Sequence, residues 1–141
     1  MESIVYADGF MKSKTRKQHG CSVALFRDDE LVFKFEFTID RIVNSDLKKL
    51  INKRKITNNV MEYFAAMYGL LICLRERRNV YKPKKIILYM DSELIVNQLN
   101  DRWDIGNDLL EWKNICQKIN HVAKARIIWI SRKKLVEVLG H

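Results

Sequence analysis

The sequence predicts an α/β fold, a mixed sheet with helices packed on its faces. Three observations carry this: a β-prone opening, a long central stretch with apolar residues at helical spacing, and strands alternating with helices after it. Ile4-Val5-Tyr6-Ala7 is a short β-prone run closed by Asp8-Gly9. Gly20 to Phe26 and Leu31 to Ile39 are two more, joined by the polar turn Arg27-Asp28-Asp29-Glu30, so the chain opens as an antiparallel meander. From Asn59 to about Arg77, the residues Val60, Met61, Phe64, Ala65, Tyr68, Leu71 and Ile72 recur on a helical period, and Asn59-Val60-Met61-Glu62 reads as a capping box at its start. Lys85 to Met90 follows Pro83 as an apolar strand, and Ser92 to Asn100 is a short amphipathic helix beginning at its carboxyl end. Leu109 to Val122 supplies another helix and Ala125 to Ser131 a last strand, after which the tail turns basic. Between the meander and the central helix, Ser45-Asp46-Leu47 caps one or two turns of a basic helix within Asn44 to Lys55, a segment to which the sequence alone assigns no role. Repeats, low-complexity tracts and linkers are absent, so residues 1–141 are expected to form a single domain.

At 141 residues and 48% hydrophobic, the chain can bury the core of one globular domain. Lys+Arg 26 against Asp+Glu 17 gives a net charge of +9, an excess that answers a polyanion or an anionic membrane surface. The cations come in bursts: Lys12, Lys14, Arg16 and Lys17; Lys48, Lys49, Lys53, Arg54 and Lys55; Arg75, Arg77 and Arg78; Lys82, Lys84 and Lys85; Arg132, Lys133 and Lys134. One such burst is an ordinary solvated face, but all of them on one chain point to nucleic acid. Cys21, Cys73 and Cys116 are odd in number and widely spaced, which fits neither a disulfide framework nor a zinc knuckle and implies a reducing, cytoplasmic setting. No signal pattern opens the chain, and the longest apolar stretch, Phe64 to Leu74, is shorter than the ~18 residues of a membrane span. A monomer without a membrane partner is expected.

Three acids sit in positions suited to one pocket. Asp8 and Asp91 close apolar strands and Glu62 lies near the start of the central helix. Open α/β sheets gather sites at strand carboxyl ends. Each acid also has a plain structural reading: Asp8-Gly9 as a turn, Glu62 as the arm of the capping box, Asp91 at a helix N-terminus. Converged, the three would bind divalent metal, because carboxylates are the ligands that hard ions prefer. Two such ions about 4 Å apart can activate a water and stabilise both oxygens of a phosphodiester displacement.

The chain resembles type 1 ribonuclease H. The resemblance rests on Tyr6-Ala7-Asp8-Gly9 at the end of a strand, on Thr57-Asn58-Asn59-Val60-Met61-Glu62 running into an alanine-containing amphipathic helix, and on Met90-Asp91-Ser92 before a helix. The order of elements matches along nearly the whole chain, and Trp103-Asp104-Ile105-Gly106-Asn107-Asp108-Leu109-Leu110 is similar to members lacking an extended basic protrusion. The resemblance implies a ribonuclease H-like fold: a five-stranded mixed sheet, three strands antiparallel and then two parallel to the first, with helices on both faces. It implies an endonuclease that hydrolyses the RNA strand of RNA–DNA hybrids, leaving 5′-phosphate and 3′-hydroxyl ends. Asp8, Glu62 and Asp91 would hold two Mg²⁺ (or Mn²⁺) ions. Gly9, Thr57, Asn58 and Asn59 would contact the hybrid, the asparagines facing 2′-hydroxyls or base edges that only an RNA strand offers together. Trp103 would press on a deoxyribose and Asn107 would bind a DNA phosphate, while core packing accounts for Trp103 equally well.

The departures bear on catalysis. For the family's fourth acid, an Asp near the start of a C-terminal helix, the candidate catalytic and metal-ligating residue here is Glu137; matching it takes a gap and an Asp-to-Glu change, and a solvated helix residue accounts for it equally well. Where some relatives carry a mobile His after the last strand, this chain reads Ser131-Arg132-Lys133-Lys134. Phe10 replaces a usual serine, a basic loop from Met11 to His19 replaces a glycine-rich turn, and the chain ends where the last helix should be developing. Two alternatives therefore stay open: a nuclease of the same fold acting on structured DNA, and a non-catalytic module binding hybrid or double-stranded RNA.

Overall fold

The computed structural model describes residues 1–11 and 18–140. The basic burst from Lys12 to Lys17 and His141 lie outside the described residues. The elements run β1 (Glu2–Met11), β2 (His19–Arg27), β3 (Glu30–Thr38), a 3-10 turn (Ile39–Arg41), α1 (Ser45–Asn52), α2 (Asn58–Arg77), β4 (Lys85–Met90), α3 (Glu93–Leu99), α4 (Asn107–Ala123), β5 (Arg126–Trp129) and α5 (Arg132–Leu139). The strands form one sheet in the order β3-β2-β1-β4-β5. β2 is antiparallel to β1 and β3, whereas β4 runs parallel to both β1 and β5, so the mixed topology expected from the sequence is present.

The meander is built by its turn chemistry. Asp28 and Asp29 both take positive φ, 46° and 68°, a two-residue turn whose twist matches that of the flanking strands. Asp28 also accepts the Glu2 backbone N–H at 2.9 Å. β1 runs past the expected stop: Asp8 pairs with Ser22 and Gly9 with Cys21, so Asp8-Gly9 is strand rather than turn.

Alternation along β1 divides the core. Val5 and Ala7 face the main cluster, with Phe64, Leu70, Leu88, Ile95 and Trp112. Tyr6 faces the other side, where Ala24, Leu135 and Leu139 pack together. Helices therefore cover both faces, α2 and α4 on one and α5 on the other. α2 is buried around most of its girth, as a helix sandwiched between a sheet and another helix must be. Its cap is Thr57, whose Oγ1 accepts the Val60 N–H at 3.2 Å; the expected capping box from Asn59 to Glu62 does not form. The basic tail makes two full turns as α5, capped by Ser131 and closed by Gly140 at φ 83°, because Leu135 and Leu139 stand one turn apart and reach the sheet together.

An ion pair between the part-exposed Arg27 and the buried Glu76 ties α2 to the first hairpin. Glu76 accepts both guanidinium arms of Arg27 at 2.8 Å and the Ser3 hydroxyl at 2.9 Å. The bond from Arg27 comes first among the causes that hold the Glu76 carboxyl below its usual range, with Ser3 adding to it against the cost of burial. Stability from this acid is therefore present above the ordinary Glu pKa and lost as pH falls through the depressed value. Glu76→Gln is expected to cost about 2 kcal/mol near neutrality and nothing in strong acid, as read from urea melts at both pH values; equal losses at both would sink this account.

Candidate active site

The parallel pairing of β1 with β4 runs from Glu2 opposite Lys85 to Tyr6 opposite Tyr89. Asp8, within β1, and Asp91, directly after β4, lie just beyond that last parallel pair, where a crevice opens. Asp91 follows β4 directly. Ser92 caps α3 by accepting the Ile95 N–H at 3.3 Å, and the Trp129 indole N–H donates to the Asp91 carbonyl at 3.0 Å. The cap is thus Ser92, and the Asp91 carboxylate is left to the cleft.

Glu62 arrives from α2 through a close backbone approach that only glycine permits. A Cβ on Gly9 would sit 2.3 Å from the Met61 carbonyl oxygen and 2.6 Å from the Glu62 nitrogen. With no side chain there, the Gly9 N–H donates to Glu62 Oε1 at 3.1 Å and fixes the carboxyl. One oxygen each from Asp8, Glu62 and Asp91 then lie within 4.8 Å of one another. Asp8 is 1% exposed and Glu62 is buried, while Asp91 is partly open.

The electrostatics follow from that crowding. Glu62 is pushed up to about 9, first by burial and then by the charges of Asp8 and Asp91, with the Gly9 N–H opposing. Its Oε2 is buried without a hydrogen-bond partner among the described residues. Burial, and after it the same carboxylates Asp8 and Glu62, push the neighbouring Cys21 thiol up too, so the hard oxygens are the available ligands. Clustered carboxyl groups and a buried orphan oxygen fit a hard divalent cation.

A residue that the sequence did not single out completes the cluster. Arg132, the first residue of α5, donates from one guanidinium nitrogen to Asp91 Oδ2 at 2.9 Å and to Asp8 Oδ2 at 3.2 Å. Its side chain is 63% exposed, so it lies across the mouth rather than within the core. Position in the loop after the last strand was the only available signal. Glu137 is exposed further along α5 and is not part of the carboxylate cluster.

The cleft is open, about 500 Å³, and is lined by Gly9, Asn58, Glu62, Asp91, Ser92 and Arg132 together with Phe10 and Met11. Asn58 is exposed beside it, Thr57 caps α2, and Asn59 is half-buried in the first turn. Trp103 is 46% exposed, which removes the core-packing reading; Trp112 is the buried indole instead. The loop carrying Trp103 is pinned, since the Arg102 and Trp103 backbone N–H groups both donate to the Asn97 carbonyl and Gln98 donates to the Asp104 carbonyl. Asn107 is exposed at the start of α4.

No family model and no curated protein matches the chain. Solved structures do. The RNase H1 of the halophilic archaeon Halobacterium salinarum superposes with a TM-score of 0.72 at 20% identity, covering 99% of this chain and 94% of that one. LC11-RNase H1 in complex with RNA/DNA hybrid gives 0.71 at 21% identity, covering 96% and 89%. The N-terminal RNase H domain of a Mycobacterium tuberculosis protein gives 0.68 at 21%, covering 96% and 86%. The fold is that of type 1 ribonuclease H. The likeness extends over almost the entire chain.

Proposed function

We propose that this chain is a metal-dependent ribonuclease H, an endonuclease that cuts the RNA strand of an RNA–DNA hybrid to give 5′-phosphate and 3′-hydroxyl ends. The observation that carries the reading is the convergence of Asp8, Glu62 and Asp91 in an open cleft at the ends of parallel strands. Asp8, Glu62 and Asp91 would hold two Mg²⁺ (or Mn²⁺) ions, which supply an activated nucleophile and charge stabilisation at the attacking and leaving oxygens. Gly9 keeps the Glu62 carboxyl aimed inward, and Trp129 keeps the Asp91 backbone in place. Arg132 holds a positive charge at the mouth, where the scissile phosphate would enter.

Substrate choice falls to residues around the cleft. Asn58 and Asn59, presented by the first turn that Thr57 caps, are assigned to the minor groove, where 2′-hydroxyls distinguish RNA from DNA. Trp103 offers an exposed flat ring to a sugar of the DNA strand, and Asn107 an amide to its phosphate. One structural neighbour is itself a complex with RNA/DNA hybrid, which supports this substrate class.

The test is incubation of the purified chain with labelled RNA–DNA hybrid, duplex RNA and duplex DNA, with Mg²⁺ or EDTA. Cleavage confined to the RNA strand of the hybrid, and abolished by EDTA, is expected. Cleavage of branched DNA would move the assignment to a structure-selective nuclease, and hybrid binding without cleavage would leave a binding module. Because Glu137 is exposed outside the carboxylate cluster, Glu137→Gln is expected to leave turnover unchanged; a marked loss would return it to the ligand set.

A further inference from the structure

The sheet has two edges, and they differ. β5 is four residues long, whereas β3 runs for nine and pairs only with β2 among the described residues. Edge strands are ordinarily blunted by a bulge or by inward-pointing charge, because their outward N–H and C=O groups template another strand. β3 has its bulge at Val32, where the register slips from Leu25 opposite Phe33 to Phe26 opposite Leu31. The stretch from Phe33 to Thr38 is left regular.

Its two faces carry different chemistry. Phe33, Phe35 and Phe37 stand opposite Leu25, Val23 and Cys21 and so share the face of the main core. Phe33 and Phe37 are half-buried, Phe37 against Phe64 and Tyr68, but Phe35, with its ring 5.6 Å from that of Phe33, is 40% exposed. Lys34 and Glu36, opposite Ala24 and Ser22, are exposed on the other face. An antiparallel partner of identical sequence has few registers that keep the regular stretch together with each side chain on its own face. With Lys34 opposite Lys34, or Glu36 opposite Glu36, like charges meet. With Phe35 opposite Phe35, Lys34 meets Glu36 twice over on one face, and Phe33 meets Phe37 twice over on the other.

We propose that two copies of this chain pair through β3, antiparallel about a two-fold axis at Phe35, joining two five-stranded sheets into one. Each copy offers the same strand, so the contact is isologous and closes at the dimer. The aromatic row supplies apolar burial that a monomer leaves exposed, the reciprocal charges set the register, and the main-chain groups supply the ladder. The strand itself carries Glu30, Lys34 and Glu36, so the cations that give the chain its +9 lie largely elsewhere. None of its residues lines the catalytic cleft, and the pairing stands whatever the substrate is. It replaces the monomer expected from the sequence.

Sedimentation velocity over the micromolar to millimolar range tests it, with thermal melts of each variant as the check on folding. The parent should pass from one to two chains per particle as concentration rises, and stop at two. Lys34→Glu and Glu36→Lys each set like charges opposite one another twice in a dimer, and each should weaken association at least about tenfold. Mixing the two single variants puts opposite charges across again, as does combining both changes in one chain, and either should restore association to within about threefold of the parent. In Phe35→Cys, mild oxidation should link the two copies, since Cys21, Cys73 and Cys116 are buried. A parent that stays monomeric throughout would leave the edge to some other strand and overturn the proposal. So would single variants that associate as tightly as the parent, or a charge swap that restores nothing.

Discussion

Asp8→Asn and Asp91→Asn are each expected to abolish Mg²⁺-dependent cleavage of the hybrid while leaving the fold and hybrid binding intact. Asn keeps the size of Asp and an oxygen in nearly the same place, so a side chain that is 1% exposed, as Asp8 is, meets no new void. What is lost is one of the three carboxyl groups whose oxygens converge within 4.8 Å. If the ions contribute about 4 kcal/mol of charge stabilisation at the phosphorane-like transition state, their loss is worth about a thousandfold in rate. Single-turnover cleavage measures that loss, and anisotropy in EDTA measures binding separately. Arg132 retains one carboxylate partner in either variant, so the mouth of the cleft stays closed to collapse. Melting temperature in EDTA should not fall, because the substitution relieves repulsion among buried acids. Mg²⁺-dependent cleavage surviving in either pure variant would remove that residue from the ligand set.

The parts of this fold that were legible in sequence are those whose burial is periodic. β4 is a run of apolar residues with its limits at Lys85 and Met90, and α2 and α4 carry apolar faces long enough to admit no other period. Where a tertiary contact overrides a local signal, the local signal misleads. Asp8-Gly9 has the composition of a turn, but Gly9 is there so that β1 can lie against the start of α2. Asn59 to Glu62 has the spacing of a capping box, but the Gly9 N–H, distant in sequence, takes the Glu62 carboxyl and Thr57 takes the cap. Which of two nearby tryptophans is buried, Trp112 and not Trp103, depends on which faces the sheet. Arg132 could be read as basic from the sequence, yet nothing local says that it meets Asp8 across 124 residues and Asp91 across 41, nor Arg27 that it meets Glu76.

Glu62→Gln should make the metal-free protein more stable and the enzyme inactive, and the pH dependence of the first effect identifies its cause. In the unfolded chain this carboxyl titrates near 4.5, and in the folded one burial and its two neighbours push it up to about 9. Between those values the folded protein keeps a proton that the unfolded chain has released, so folding stability is full below the unfolded pKa and declines as pH rises through the window. The slope cannot exceed about 1.4 kcal/mol per pH unit for one group, and the shared charge of the trio spreads it, so a loss of a few kcal/mol from about pH 5 to about pH 8 is expected. Glu76 acts in the opposite sense but only in acid, below this window. Gln at position 62 carries no charge to desolvate, so the variant's profile in EDTA should be flatter over that range and its melting temperature higher at the alkaline end. Divalent metal bound at the proposed site would reverse the sign for the parent, since it would bind the ionised carboxylates and stabilise by mass action. Thermal melts across pH, with EDTA and with Mg²⁺, should therefore show parent curves that converge in acid and separate toward alkaline pH, and variant curves that barely separate at all. Parallel pH profiles for parent and variant in EDTA would mean that the Glu62 carboxyl is not the group whose burial opposes folding, and that the metal site is less crowded than its oxygens suggest.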